Sequence, residues 1–387
     1  MLIVVDIGSH RFRVGAFENG EIIHTDELES KGWNAEKPGA FDNVQKNLHY
    51  LIQAMQSRIG RSATKVIIVL SDQSLKCVPI VHQCTIPDNE ASEKDLNRVS
   101  NEIRAHYQNQ KYQVMHFTIV DQQTKATDID SSVGAEAPLL TTMCNVIYQD
   151  YHCHAQWQNV VKSLPNPLSK CTDIYTGSQV AQDIIANQDS SRKECVAVVD
   201  IGQWTKLYIF NHDKHVALFN ISVAADDFLA NLSTKLGVSA TEVQKLKEIV
   251  AKDQSESFAE IILQTGKGEV RLSKADLFAA MNENITIQCN KIKGEIPENG
   301  WKSQIERFIF IGGGASFINP VIASEALKCP AIVKSWKFNH KTYGPEWSNI
   351  FAIGLEESKQ EDNNASSITG YIKQFCTFLT RPFSAKK

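Results

Sequence analysis

The sequence predicts an α/β protein whose central unit occurs twice. Three observations carry that reading. The apolar run Leu2 to Val5 ends in Asp6-Ile7-Gly8, the run Cys195 to Val199 ends in Asp200-Ile201-Gly202, and the strand-like Phe308 to Ile311 ends in Gly312-Gly313-Gly314. One hydrophobic run closed by Asp-x-Gly is cheap. Two copies that each head the same strand–turn–strand pattern point to internal duplication.

The elements follow in order. Leu2 to Val5 is β-branched and uninterrupted, which predicts a buried strand. Arg13 to Phe17 and Glu21 to His24 flank Asn19-Gly20, a strong hairpin signal. Over residues 43–59, Val44, Leu48, Leu51, Ile52 and Met55 recur at helical spacing, and Lys65 to Leu70 predicts another buried strand. The pattern then repeats: Cys195 to Gly202, Leu207 to Phe210, a polar turn at Asn211 to Lys214, and His215 to Phe219. Gly312 to Gly314 turns the last strand into a helical run from Pro320 to Leu327. Unblocked backbone N–H groups at glycine turns bind phosphates. Two Asp-x-Gly hairpins and a third glycine turn therefore suit a nucleotide held between two related domains.

Composition narrows the class. Hydrophobic residues at 42% and charged residues at 22% exclude a disordered chain. A length of 387 residues suggests two or three domains and a core that needs no disulfide or metal staples. The net charge of -4 argues against a nucleic-acid partner. The cysteines are scattered, odd in number (9) and form no CxxC pair, which predicts reduced thiols. Met1 to Asp6 is too short and lacks the basic lead of a signal peptide. No apolar run reaches the roughly 18 residues of a spanning helix. The expectation is a protein made and kept inside the cell.

These residues resemble the actin-like ATPase superfamily, which includes actin, sugar kinases and 70-kDa chaperones. The resemblance implies an actin-like (ribonuclease H-like, duplicated) two-lobed α/β fold, with ATP and Mg as cofactors. It places Asp6, Gly8, Ser9 and Arg11 in a first phosphate loop and Asp200, Gly202, Gln203 and Thr205 in a second. Gly312, Gly313 and Gly314 take the adenosine turn, and Gln244 and Lys247 the family's Glu-x-x-Lys adenosine contact. Asp6 and Asp200 are the implied Mg ligands.

Within the superfamily, several segments resemble the bacterial cell-division family FtsA. Lys65 to Pro87 followed by Ser92 to Val99 looks like the opening of that family's inserted α+β subdomain. Val114 to Thr118, Ala126 to Asp130, Val133-Gly134 and Cys144 to Tyr148 follow in its order, and Trp347 to Leu355 matches the closing segment of the ATPase core. The implied organisation is a first lobe core over 1–75 and 151–192, with the inserted subdomain over 76–150. The second lobe core covers 193–220 and 305–357, its upper part 221–304, a linker 358–366 and a tail 367–387. The family implies a membrane tether and actin-like polymer-former that recruits the FtsZ C-terminal tail. Its place is the cytoplasmic face of the inner membrane, peripheral, at the division site. FtsZ would dock on 221–304, which contains a helix from Lys274 to Ile292. The family's usual arginine there falls on Met281, so no docking residue is assigned.

The departures point away from catalysis. Family members carry two further glycines after the second Asp-x-Gly, then Thr and, two residues on, an acid; here these are Gln203, Trp204, Thr205 and Leu207. Side-chain bulk keeps backbone from phosphate, and the missing carboxylate removes a metal or water contact. Either Trp204 obstructs the phosphates or it packs in and stabilises a nucleotide-free state. In the first loop Arg11 keeps a cation at the usual lysine position. The expectation is weak ATP binding with little or no turnover, against an empty pocket whose turns survive only as fold-forming turns.

The C-terminal segment reads as a membrane helix. Residues 356–366 are polar. At about 100° per residue, Ile368, Tyr371, Ile372, Phe375, Phe378 and Leu379 share one face, while Lys373 and Arg381 lie on the other. From Ser366 to Lys387 there are basic residues and no acidic ones, the pattern of an interfacial helix on an anionic surface. The competing reading is a terminal helix packed on the protein's own core.

Other constellations carry less. His152-Cys153-His154 with Cys144 lacks a second pair to complete a tetrahedral zinc site. No GxSxG supports Ser/His/Asp catalysis. Trp33, Trp157, Trp301, Trp336 and Trp347 suit core or surface anchors. Two alternatives stay open: a PilM-like actin-fold adaptor of pilus or secretion machinery, and a small-molecule kinase of the same superfamily.

Overall fold

The computed structural model describes residues 1–30, 40–70, 74–88, 90–125, 138–186, 194–212, 214–243, 246, 260–265, 268–298, 301–338 and 340–363. Trp33, Ala126 to Asp130 and Val133-Gly134 lie outside these residues. The chain forms two compact units. The first is Met1–Arg192 with Asp213–Ala217 and the segment from Asn349; the second is Lys193–His212 with Leu218–Ser348.

The first unit opens with β1 (Leu2–Ile7), β2 (Arg11–Glu18), β3 (Glu21–Glu29), α1 (Ala40–Ile59) and β4 (Lys65–Leu70). It continues with β5 (Lys76–Thr85), α2 (Glu93–Asn109), β6 (Tyr112–Lys125), β7 (Leu139–Asp150), α3 (Tyr151–Lys162), β8 (Thr172–Thr176) and α4 (Gly177–Ala186). One sheet has the order β3-β2-β1-β4-β8. Every residue of β1 is buried because it pairs antiparallel with β2 on one side and parallel with β4 on the other. Asn19 and Gly20 adopt φ of 54° and 75°, the left-handed pair that a tight hairpin requires. Helix α1 buries the expected Val44, Leu48, Leu51, Ile52 and Met55 and starts three residues before the expected 43. A separate sheet, β5-β7-β6, packs on α2 through Val99, Ile103, Val114, Leu140 and Val146. A reciprocal capping box between Ser92 and Asp95 starts α2.

The second unit contains β9 (Cys195–Asp200), β10 (Thr205–Asn211), the second half of β11 (Lys214–Ile221), α5 (Ala225–Leu236), β12 (Glu260–Thr265) and β13 (Gly268–Ser273). It continues with α6 (Lys274–Glu295), β14 (Arg307–Ile311), α7 (Pro320–Leu327), β15 (Ala331–Val333) and a short hairpin of Trp336–Phe338 with Lys341–Tyr343. Its main sheet has the order β11-β10-β9-β14-β15, the order of the first sheet element for element. As in the first sheet, the leading strand is antiparallel to the second and parallel to the fourth. The duplication read from Asp6 and Asp200 is thus present as repeated topology.

The last described helix, α8 (Ser348–Asn363), differs from expectation in two ways. From Asn349 it groups with the first unit rather than closing the second. The reason is a notch without side chains: a Cβ on Gly15 would lie 2.5 Å from Ile350, and one on Gly354 would lie 2.1 Å from the Phe17 ring. Phe351 meets Phe17 edge to face at 6.1 Å between centroids. The helix also runs through 358–363, part of the expected linker. Glu357 holds it there, accepting from Tyr175 Oη at 2.7 Å and pairing with Lys65 Nζ at 2.8 Å.

Candidate functional site

The first loop joins β1 to β2. Asp6 is 6% exposed, and Asn349 Nδ2 donates to its Oδ1 at 2.9 Å. Arg13 stands directly opposite Asp6 in the strand register. Burial pushes the Asp6 carboxyl above its usual range, while the Asn349 hydrogen bond and the Arg13 charge pull it back. Gly8 is required by space, since a Cβ there would lie 2.6 Å from the Arg11 carbonyl oxygen. Ser30 ties the loop down. Its Oγ donates to the Ser9 carbonyl and its N–H to the His10 carbonyl at 2.9 Å. Arg11, expected to face phosphate, is half-exposed and pairs with Glu27 on β3 at 2.7 Å. Glu27 also receives Arg13 Nε at 3.3 Å.

The second loop joins β9 to β10 inside the other unit. Asp200 is buried, and Gly312, at φ 84°, presses on it: a Cβ there would lie 2.3 Å from Asp200 Oδ1 and 2.7 Å from the Ile201 carbonyl oxygen. Gly314 is equally confined, with a Cβ position 2.3 Å from Ile201 Cγ2. Gly313 has open space around it. The N–H of Gly312 donates to Pro345, that of Gly314 to Ile201, and that of Ala225, first in α5, to Gly202. These three donors, which a glycine turn and a helix start would present to phosphate, are spent inside the fold. Trp204 is partly exposed, outside the core. Thr205 is buried, and neither its Oγ1 nor Gln203 Oε1 has a hydrogen-bond partner among the described residues. Gln244 and Lys247 lie outside the described residues.

Three residues of this region escape the motif reading. Lys206 is 1% exposed and stands directly opposite Asp200 in the register, as Arg13 stands opposite Asp6. Asn349 reaches Asp6 from the far end of the chain. Both cations are placed only by the hairpin registers, which differ between the two turns, and no local signal marks Asn349.

A divalent cation fits this set poorly. Each aspartate has a cationic residue across the ladder, Asp200 has a glycine carbon pressed on it, and Leu207 supplies no second carboxylate. The glycine turn and the start of α5 likewise have the N–H groups of Gly312, Gly314 and Ala225 already bonded. Each unit holds one buried carboxylate in its own turn.

No protein-family model matches the chain, and no curated protein matches it. Solved structures do. The PilM-PilN type IV pilus biogenesis complex contains a chain similar over 92% of this one and 98% of its own length, with TM-score 0.60 and 12% identity. The ethanolamine utilization protein EutJ from Carboxydothermus hydrogenoformans is similar over 91% of this chain and 88% of its own, with TM-score 0.50 and 11% identity. MreB5 of Spiroplasma citri, solved bound to ADP, covers 95% and 98% at TM-score 0.47 and 12% identity. The chain has the duplicated α/β fold of the actin-like ATPases.

Proposed function

We propose that this chain is a non-catalytic actin-fold adaptor of the PilM kind, which holds a segment of an assembly partner at the cytoplasmic face of the inner membrane. The supporting observation is the extent of the likeness to the PilM chain, 98% of whose length is matched. The second loop agrees with a scaffold rather than a kinase: Leu207 replaces the acid, and the N–H groups of Gly312, Gly314 and Ala225 are already used. ATP has no catalytic part in this reading; weak binding without turnover is its expected extent.

The membrane link is the amphipathic face of Ile368, Tyr371, Ile372, Phe375, Phe378 and Leu379, flanked by Lys373 and Arg381. All of them lie outside the described residues. One such helix binds reversibly, so avidity from self-association would strengthen it. The tail is also what favours a second reading, an FtsA-type tether that polymerises and recruits FtsZ. Two measurements decide. Capture of a PilN-type partner, with no co-pelleting of FtsZ, supports the adaptor; the reverse supports the tether. Phe375→Glu should abolish flotation with anionic liposomes and leave the melting temperature unchanged. A drop in melting temperature instead would mean that the tail packs on the protein's own core.

A further inference from the structure

Both main sheets carry a buried aspartate in the last two residues of the leading strand and set a cation directly opposite it, Arg13 for Asp6 and Lys206 for Asp200. Opposite residues in an antiparallel pair project from the same face, with Cβ atoms about 5 Å apart. Lys206 is 1% exposed and Asp200 5%. An ammonium is carried that deep only beside a counter-charge or strong acceptors, because an isolated buried charge is prohibitively costly. On Asp200's other side Gly312 leaves no room: its Cβ position is 2.3 Å from Oδ1. A hard dication needs several oxygen ligands in open geometry. The neighbouring Leu207 is fully buried and supplies none.

We infer that Lys206 is a resident counter-cation of Asp200, standing in the place of a divalent metal, so that the second loop excludes Mg2+. Arg13, with Asn349, serves Asp6 in the same way. The loop is then charge-complete on its own, and its conformation does not depend on a metal–nucleotide complex. The inference does not depend on the adaptor reading, since it concerns one hairpin of the second unit.

Mn2+ is the probe, followed by its paramagnetic resonance signal in the presence of the full chain. The wild type should leave Mn2+ free. Saturable, Asp200-dependent Mn2+ binding by the wild type overturns the inference. Thermal melts in EDTA give the second arm: Lys206→Met should melt below the wild type, and adding Asp200→Asn should recover part of that loss. The double variant leaves no unpaired buried charge, so its loss in melting temperature should be smaller than the sum of the two single losses. Additive losses overturn the pairing.

Discussion

In the first unit a Cβ on Gly8 would press 2.6 Å from the Arg11 carbonyl oxygen, whereas in the second a Cβ on Gly202 would meet nothing nearer than 3.5 Å. Both glycines belong to the same Asp-Ile-Gly motif at the end of a fully buried strand. The turns differ in length: Arg13 opposes Asp6, seven residues on, and Lys206 opposes Asp200, six residues on. They also differ in where the restraint sits. The first turn is tied by Ser30 from the end of β3. The second is clamped from outside by Gly312 and Gly314, which pack on Asp200 and Ile201. A motif glycine thus serves the fold in one copy and is nearly spare in the other. Its presence alone says little about phosphate contact.

The largest effect that would test this contrast is at the clamp. Gly312→Ala combines a left-handed φ of 84° with contacts of 2.3 Å and 2.7 Å that include backbone. The expected loss is about 2–5 kcal/mol, from strain and overpacking together. Gly313→Ala, with nothing within 4 Å, is the control and should stay within about 0.5 kcal/mol. Urea titrations of the two variants that coincide would mean that the clamp does not hold the second loop.

Acid sharpens the contrast between units. In the first unit burial lowers His116 to about 4, His154 to about 4 and His215 to about 3, with Arg104 also lowering His116 and His116 also lowering His215. The unfolded chain takes up these protons near pH 6.5 and the folded chain does not. Stability is therefore full above about pH 6.5 and falls as pH drops toward 4. His154 alone contributes about 3 kcal/mol of that loss. His154→Leu should fall less in melting temperature between pH 7 and pH 4.5 than the wild type. His116, His154 and His215 all lie in the first unit, so hydrogen exchange at pH 4.5 should rise first there. Uniform acceleration across both units would contradict this.

What the sequence made legible is local. Asn19-Gly20, the helical spacing of α1, the Gly312 turn followed by Pro320 to Leu327, and the repeated Asp-Ile-Gly all carry their signals within a few residues. What it hid is long-range. That α8 belongs with the first sheet depends on Gly15 and Gly354 forming one notch, and neither glycine announces the other. The hydrogen bond from Asn349 to Asp6 spans almost the whole chain. The polar residues after Leu355 read as linker because their composition is solvated, yet Glu357 is drawn in by Lys65 and Tyr175. Lys206 was legible in identity and not in place, because its partner emerges only once the register of a six-residue offset is known. Arg11 shows the converse. Its position in the motif suggested phosphate, and Glu27 on the next strand holds it instead.

The smallest effect separates the two turns most directly. Gly8→Ala must move backbone, since its nearest obstacle is the Arg11 carbonyl rather than a flexible side-chain end. That movement strains the tie to Ser30, and the expected cost is about 1–3 kcal/mol. At Gly202 the nearest atom is at ordinary contact distance, and the residue is not among the glycines with positive φ. Alanine there adds a methyl without strain and removes freedom from the unfolded chain, a gain of about 0.4–1 kcal/mol in the favourable case. Gly202→Ala should therefore be neutral to slightly stabilising, and the two variants should differ by at least about 1 kcal/mol in one urea series. A Gly202→Ala loss equal to that of Gly8→Ala would show that the second turn is as tightly built as the first. The asymmetry would then have to be sought in Trp204 and Gln203 rather than in the glycine.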